Sequence, residues 1–154
     1  MELESLITKE LIDFNVPAAT KEEVLRKISA HLYKAGRVSD EEAYFQALIN
    51  RENATTTGFG RGIAIPHAKI KEVTVPTISV LKLNTPVEWN SLDDKPVNIV
   101  IALAVPSNAK GTIHLQLLAK LSEELMEDDF VEKLHKAVSK DEIYQYITNV
   151  FHKE

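Results

Sequence analysis

Nine consecutive residues, Val97 to Val105 (VNIVIALAV), carry a single polar side chain. No other stretch constrains the fold as strongly. A strand with one wet face alternates apolar and polar residues, whereas an unbroken apolar run rich in branched side chains reads as a strand covered on both faces. Covering both faces takes a layer of helices on each side, and the flanking sequence has the patterns for them. Thr20-Lys21-Glu22-Glu23 is a capping box, followed at helical spacing by Val24, Leu25, Ile28 and Leu32 until Gly36. Ser39-Asp40-Glu41-Glu42 is a second box, opening a helix whose buried face would use Ala43, Leu48 and Ile49 and which should stop near Asn50-Arg51. Gly62 to Pro66 reads as a short strand, and Thr77 to Leu83 as another following Pro76. After the apolar run, the loop PSNAKG leads to Thr112 as a helix cap, with Leu115, Leu118, Leu121 and Leu125 as the apolar stripe. A short helix over 128–137 and a last one capped at Ser139, carrying Ile143, Tyr146 and Ile147, complete the chain. The pattern predicts an α/β fold: a single-domain sandwich over residues 1–154, with a mixed, mostly parallel central sheet flanked by helices on both faces.

Composition narrows the function classes. Lys and Arg number 18 against 23 Asp and Glu, a net charge of -5, so the basic excess that nucleic-acid binding requires is missing. With no cysteine there are no disulfides, no thiol chemistry and no cysteine metal sites, which fits a reducing cytoplasm. The N-terminal MELESLITKELIDF is acidic and has no uncharged run long enough for a leader or a membrane span. A cytoplasmic protein without direct membrane insertion is expected.

The chemistry gathers around TTTGFGRGIAIPHAKI, residues 55–70, which holds three of the five glycines just ahead of His67. Such a stretch could be a phosphate cradle, or it could deliver a metal ligand or a catalytic base. GFGRG lacks the GK[ST] of a P-loop, and a strand follows where a dinucleotide-binding fingerprint needs a helix. Five extended residues span about 17 Å at most, so glycines ahead of a strand over 62–66 lie away from His67. They read as turn formers. No two histidines stand three or four apart and no carboxylate lies within three residues of His67, so no metal is expected. His31, His135 and His152 fall in helical segments among charged residues and carry no special role.

His67 differs because Pro66 precedes it and donates no backbone hydrogen bond, so pairing along that strand should end there. The imidazole would project from a strand's carboxyl end, where ligands bind in open α/β sheets. His114, one short loop after the buried strand, would reach the same edge if the two strands run parallel. The helix starting at Thr112 offers free amides and the positive end of its dipole to an anion. Arg51, at the end of the second helix, could supply a fixed guanidinium, and Arg61 and Lys69 flank the motif with further charge. For those last two the plain alternative is solvated surface charge. A neutral histidine in an anion site could accept a phosphoryl group directly as covalent phosphohistidine, a reaction that needs chiefly positioning and charge stabilisation.

The run GFGRGIAIPHA, with Glu52 seven residues ahead of Phe59, resembles the active-site signature of enzyme IIA proteins of the mannitol/fructose class. These serve the phosphoenolpyruvate-dependent sugar phosphotransferase system. ALINRE, PVEW, VNIVIALAVP and HLQLLAKLSEEL look like the same family, so the resemblance spans essentially the whole chain. It implies that His67 takes a phosphoryl group on Nε2 from phosphorylated HPr and passes it to a cysteine of enzyme IIB, the partner of a IIC transporter, without a cofactor. Arg51 and His114 stand where the family has its supporting arginine and second histidine. A fructose-type sugar is the implied end substrate. The family also contains nitrogen-related regulatory proteins that share the motif and act by binding partners.

Overall fold

The structure, a computed structural model, describes residues 6–108 and 113–152. Among them, after a 3-10 turn at Lys9–Leu11, lie six strands and five α-helices. In chain order these are β1 (Ile12–Val16), α1 (Lys21–Lys34), α2 (Glu41–Ala54), β2 (Gly58–Gly60), β3 (Ile63–Ala64), β4 (His67–Ile70), β5 (Thr77–Val87), β6 (Val97–Pro106), α3 (Ile113–Leu125), α4 (Asp128–Lys136) and α5 (Lys140–His152). The sheet runs β1-β5-β6-β3-β2, with β4 also against β6. β1 with β5, β3 with β6 and β4 with β6 are parallel; β5 with β6 and β2 with β3 are antiparallel. This is the expected mixed sheet with helices on both faces.

β6 is the centre, and its side chains sort by parity. Ile99, Ile101, Leu103 and Val105 pack with Leu117, Leu121 and Leu125 of α3 and with residues of α4 and α5. Val100, Ala102 and Ala104 face α1 and α2 through Leu25, Ile28, Leu32, Tyr44, Phe45 and Leu48. Small side chains on that second face let the helices sit close to the sheet. The Tyr44 hydroxyl, fully buried there, donates to the Leu103 carbonyl at 2.9 Å, and burial drives its ionisation far above the ordinary phenol range.

Several boundaries differ from those read in the sequence. β1, β2 and β4 are additional, and β1 makes the sheet start before the first long helix. Asp40, not Ser39, caps α2: its carboxylate accepts from the Ala43 amide at 3.0 Å. α2 continues to Ala54, and its buried face is Tyr44, Phe45, Leu48 and Glu52, since no helix breaker follows Arg51 before the threonine run. On α3 the buried stripe is Leu117, Leu121 and Leu125, while Leu115 is exposed. The largest departure concerns Pro66. Pairing does not end there: Ile63 faces Ile99 and His67 faces Leu103, four residues on along both strands, so the register continues across the proline. Pro66 removes only a donor, and its carbonyl still accepts from the Leu103 amide at 2.9 Å. His67 therefore opens β4 rather than trailing off a strand end.

Candidate active site

The site forms where β2 stops and the outer edge of β4 is left to α2, which packs on it. Within a strand the amide and carbonyl of one residue point the same way. Those of Ile65 point away from β6. Its amide donates to the Thr57 carbonyl at 2.9 Å, the last contact of the β2–β3 hairpin. Its carbonyl has no strand opposite, and His67 Nδ1 meets it at 2.8 Å. A carbonyl only accepts, so Nδ1 carries the proton and Nε2 holds the lone pair.

Arg51 lies opposite that lone pair. It occupies the last turn of α2, where the helix dipole favours a cation. Its Nη1 donates to the Thr55 carbonyl at 2.8 Å and to Thr55 Oγ1 at 3.2 Å, and its Nε donates to His67 Nε2 at 3.1 Å. The helix end and the imidazole are thus joined by one planar fork. His67 is only 8% exposed, with the guanidinium over Nε2. Any group that bonded to Nε2 would take the place of the Arg51 Nε–H there.

Beneath this pair lies a buried polar cluster. Glu52 accepts from the Thr57 amide at 2.8 Å and from the Thr57 hydroxyl at 2.5 Å, and Lys21 Nζ lies 3.4 Å from the same carboxylate. Thr57 Oγ1 in turn accepts from Trp89 Nε1 at 3.1 Å, and the Lys21 ammonium sits 5.6 Å from the centre of the Trp89 ring. Sequence reasoning noted Glu52 only as part of a signature. A carboxylate in the last turn of a helix, against the dipole, was the available signal that it has a fixed partner.

The other candidates fall elsewhere. Arg61, at φ 60 in the hairpin tip, points to α3 and α4: it pairs with Asp128 and reaches the Leu125 carbonyl at 3.4 Å. Its own carbonyl lies 2.7 Å from His135 Nε2. Lys69 is exposed two residues further along β4. Thr112 lies outside the described residues, as does the side chain of His114, whose backbone stands in the first turn of α3. The glycines of the hairpin are spacers: Gly62 adopts φ +82, and a Cβ on Gly58 would lie 2.8 Å from the Ser91 backbone. Among the described residues no helix is long and apolar enough to cross a membrane.

Comparison with known proteins gives this geometry a family. Residues 5–150 match the family described as phosphoenolpyruvate-dependent sugar phosphotransferase system, EIIA 2. A fructose-specific EIIA component from Haloferax volcanii is 38% identical over 149 residues, covering 97% of this chain and 96% of that protein. The chain spans only 23% of the fructose-specific EIIABC component of Bacillus subtilis, at 38% identity over 96% of its own length. Among solved structures, the nitrogen regulatory protein IIA-Ntr of Neisseria meningitidis superposes with a TM-score of 0.85 at 26% identity, covering 92% of this chain and 96% of that one. Enzyme IIA of the mannitol system of Escherichia coli, solved in complex with phosphorylated enzyme IIB, gives 0.77 at 28% identity, with 94% and 99% covered. With a buried histidine whose Nε2 accepts from an arginine, and with this match along nearly its whole length, the chain belongs to the EIIA type 2 family of the sugar phosphotransferase system.

Proposed function

We propose that the chain is a phosphoryl carrier that takes its phosphoryl group from phosphorylated HPr on His67 Nε2 and hands it to a cysteine of enzyme IIB. The observation that carries this reading is the pair of contacts on one ring: Nδ1–H held by the Ile65 carbonyl, and Nε2 turned toward Arg51. In the forward step the Nε2 lone pair forms the bond to phosphorus, while the donor's bond to phosphorus breaks and its electron pair leaves with the donor. The phosphorylated ring is cationic as long as Nδ1 keeps its proton, which strengthens the hydrogen bond to Ile65. Arg51 keeps its hold on Thr55 and turns its remaining donors to the phosphoryl oxygens, where charge-assisted bonds are strongest. Onward transfer reverses these roles, with a thiolate as the attacking group. His114 and Thr112, at the start of α3, are proposed as further anion-stabilising groups; Arg61 and Lys69 are given no part. The 38% identity to a fructose-specific EIIA supports a fructose-type sugar as the end substrate.

Incubation with phosphoenolpyruvate, enzyme I and HPr, followed by intact-mass measurement, tests the reading. One acid-labile phosphoryl group is expected on the protein and none on His67→Ala. Normal labelling of His67→Ala overturns the assignment. The similarity to IIA-Ntr supports a second reading, a regulatory module whose phosphorylation state selects its partners. Rapid loss of label to a cognate IIB favours the carrier; a partner captured by only one phosphorylation state favours the regulator.

A further inference from the structure

We infer that Glu52 is the positioning residue of this site, holding both halves of the Arg51–His67 pair through Thr57. The inference rests on the phosphoryl-carrier reading for its kinetic part and on geometry alone for its spectroscopic part. Glu52 occupies a costly place: it is buried, in the last turn of α2, where the helix dipole opposes a negative charge. One ammonium at 3.4 Å and two donors from a single residue, Thr57, compensate it. From Thr57 the constraint runs two ways.

Toward the imidazole, the Thr57 carbonyl holds the Ile65 amide, and the carbonyl of that same Ile65 holds His67 Nδ1. Two hydrogen bonds therefore separate Thr57 from the choice of tautomer. Toward the guanidinium, Thr57 is two residues from Thr55, whose carbonyl and hydroxyl pin Arg51 Nη1. Glu52 is itself the next residue after Arg51. Fixing Thr57 to Glu52 thus closes the chain from residue 52 to 57 into a ring that contains Thr55, directly follows Arg51 and holds Ile65 through the Thr57 carbonyl. Trp89 Nε1 donates to the Thr57 hydroxyl, which leaves the hydroxyl proton one acceptor, the Glu52 carboxylate.

A glutamine cannot replace it. Whichever way its amide turns, the nitrogen would meet a Thr57 donor, the hydroxyl or the backbone N–H, and the ion pair with Lys21 would be lost. Glu52→Gln should therefore fold while its Thr57 link loosens. Ring 15N shifts of His67 read the tautomer, with or without a phosphoryl donor. The wild type should show one protonated nitrogen, Nδ1, and Glu52→Gln should show averaged values for the two nitrogens. In labelling by phospho-HPr, kcat should fall about tenfold with KM for the donor within twofold, because the contact surface is untouched while the reacting atoms are misplaced. Thr57→Val cuts the same side-chain link without changing the buried charge and should move both readouts the same way. A single Nδ1–H tautomer together with wild-type kcat in either variant overturns the inference. If the wild type takes no phosphoryl group at all, the carrier reading fails, and the tautomer measurement still decides the role of Glu52.

Discussion

Two arginines ten residues apart divide the segment between α2 and β3 into two regions with opposite character. At the helix end, Arg51 is half-buried and meets uncharged partners: a carbonyl, a hydroxyl and the lone pair of an imidazole. Its positive charge is not neutralised by a carboxylate in those contacts and is available to an anion. At the hairpin tip, Arg61 is exposed and pairs with Asp128. Its backbone amide donates to Asp93 Oδ2 at 2.9 Å, and its carbonyl meets His135. The first region holds charge ready and the second spends it on fastening a loop to α4. Each also has a histidine on a carbonyl, His67 on Ile65 and His135 on Arg61. A carbonyl-bound imidazole is common to both regions; the guanidinium on the other nitrogen distinguishes His67.

The sharpest way to break this contrast is to remove each guanidinium in turn. Arg51→Ala takes away donors aimed at the transferring group, and kcat for labelling should fall roughly 100-fold, in line with the loss of one donor from a preorganised anion site. Arg51→Lys should not restore it, because an ammonium cannot hold Thr55 and a phosphoryl group in one plane. Arg61→Ala should leave the rate within twofold, since an exposed ion pair contributes at most about 1 kcal/mol to stability. Equal losses from the two alanine variants would erase the distinction.

A second test touches the tip without touching charge. Gly62 sits at φ +82, and its carbonyl accepts from the Asn98 and Ile99 amides at 2.9 and 3.0 Å, so its backbone is tied to β6. A Cβ there would lie 2.8 Å from Asn98 Oδ1 and 3.0 Å from His135 Cε1. Gly62→Ala should cost about 2 kcal/mol in chemical denaturation, from backbone strain and displaced side chains together. The final extent of labelling of the folded protein should stay at one phosphoryl group. A loss under about 0.5 kcal/mol would mean that the tip adapts freely and is not a fastened region.

These contrasts were only partly legible in the sequence. The apolar run of β6 and the capping signals at Thr20 and Ser139 follow from local pattern and chemistry, and Thr20 Oγ1 does accept from the Glu23 amide at 3.1 Å, whereas the bond from Arg51 Nε to His67 Nε2 is a contact that no local pattern reports. β1 was not legible. IDFNV is short, half-buried and interrupted by Asn15 at φ 55, so neither alternation nor composition marks it. Leu117 was missed because HLQLLAKL supports two helical stripes, and only packing against the sheet chooses between them. The proline misled for a definite reason. Loss of one donor interrupts a ladder, but a carbonyl that keeps its partner lets the register resume on the far side. Glu52 and Thr57 are joined by a closure that no helical or strand period reports.

The smallest effect concerns the carboxylate that holds the tip from the other side. Asp93 accepts from the Arg61 amide at 2.9 Å through Oδ2 and from the Lys95 amide at 3.1 Å through Oδ1. The Arg61 amide first, and then the Lys95 amide, hold its carboxyl below the usual carboxylate value of 3.8. A group whose folded value is depressed adds stability above its unfolded value and loses it as pH falls through the folded one. Asp93→Asn keeps one acceptor of the two and removes the charge. The stability difference between wild type and Asp93→Asn should therefore be small and constant from neutral pH down to about 5, then shrink as pH falls below about 4. Because the residue is exposed, solvent screens it and the difference should stay below that of Gly62→Ala throughout. A difference that grows on acidification would mean that the folded carboxyl titrates above its unfolded value, so that the Arg61 and Lys95 amides do not favour its charged form and do not fasten the tip through it.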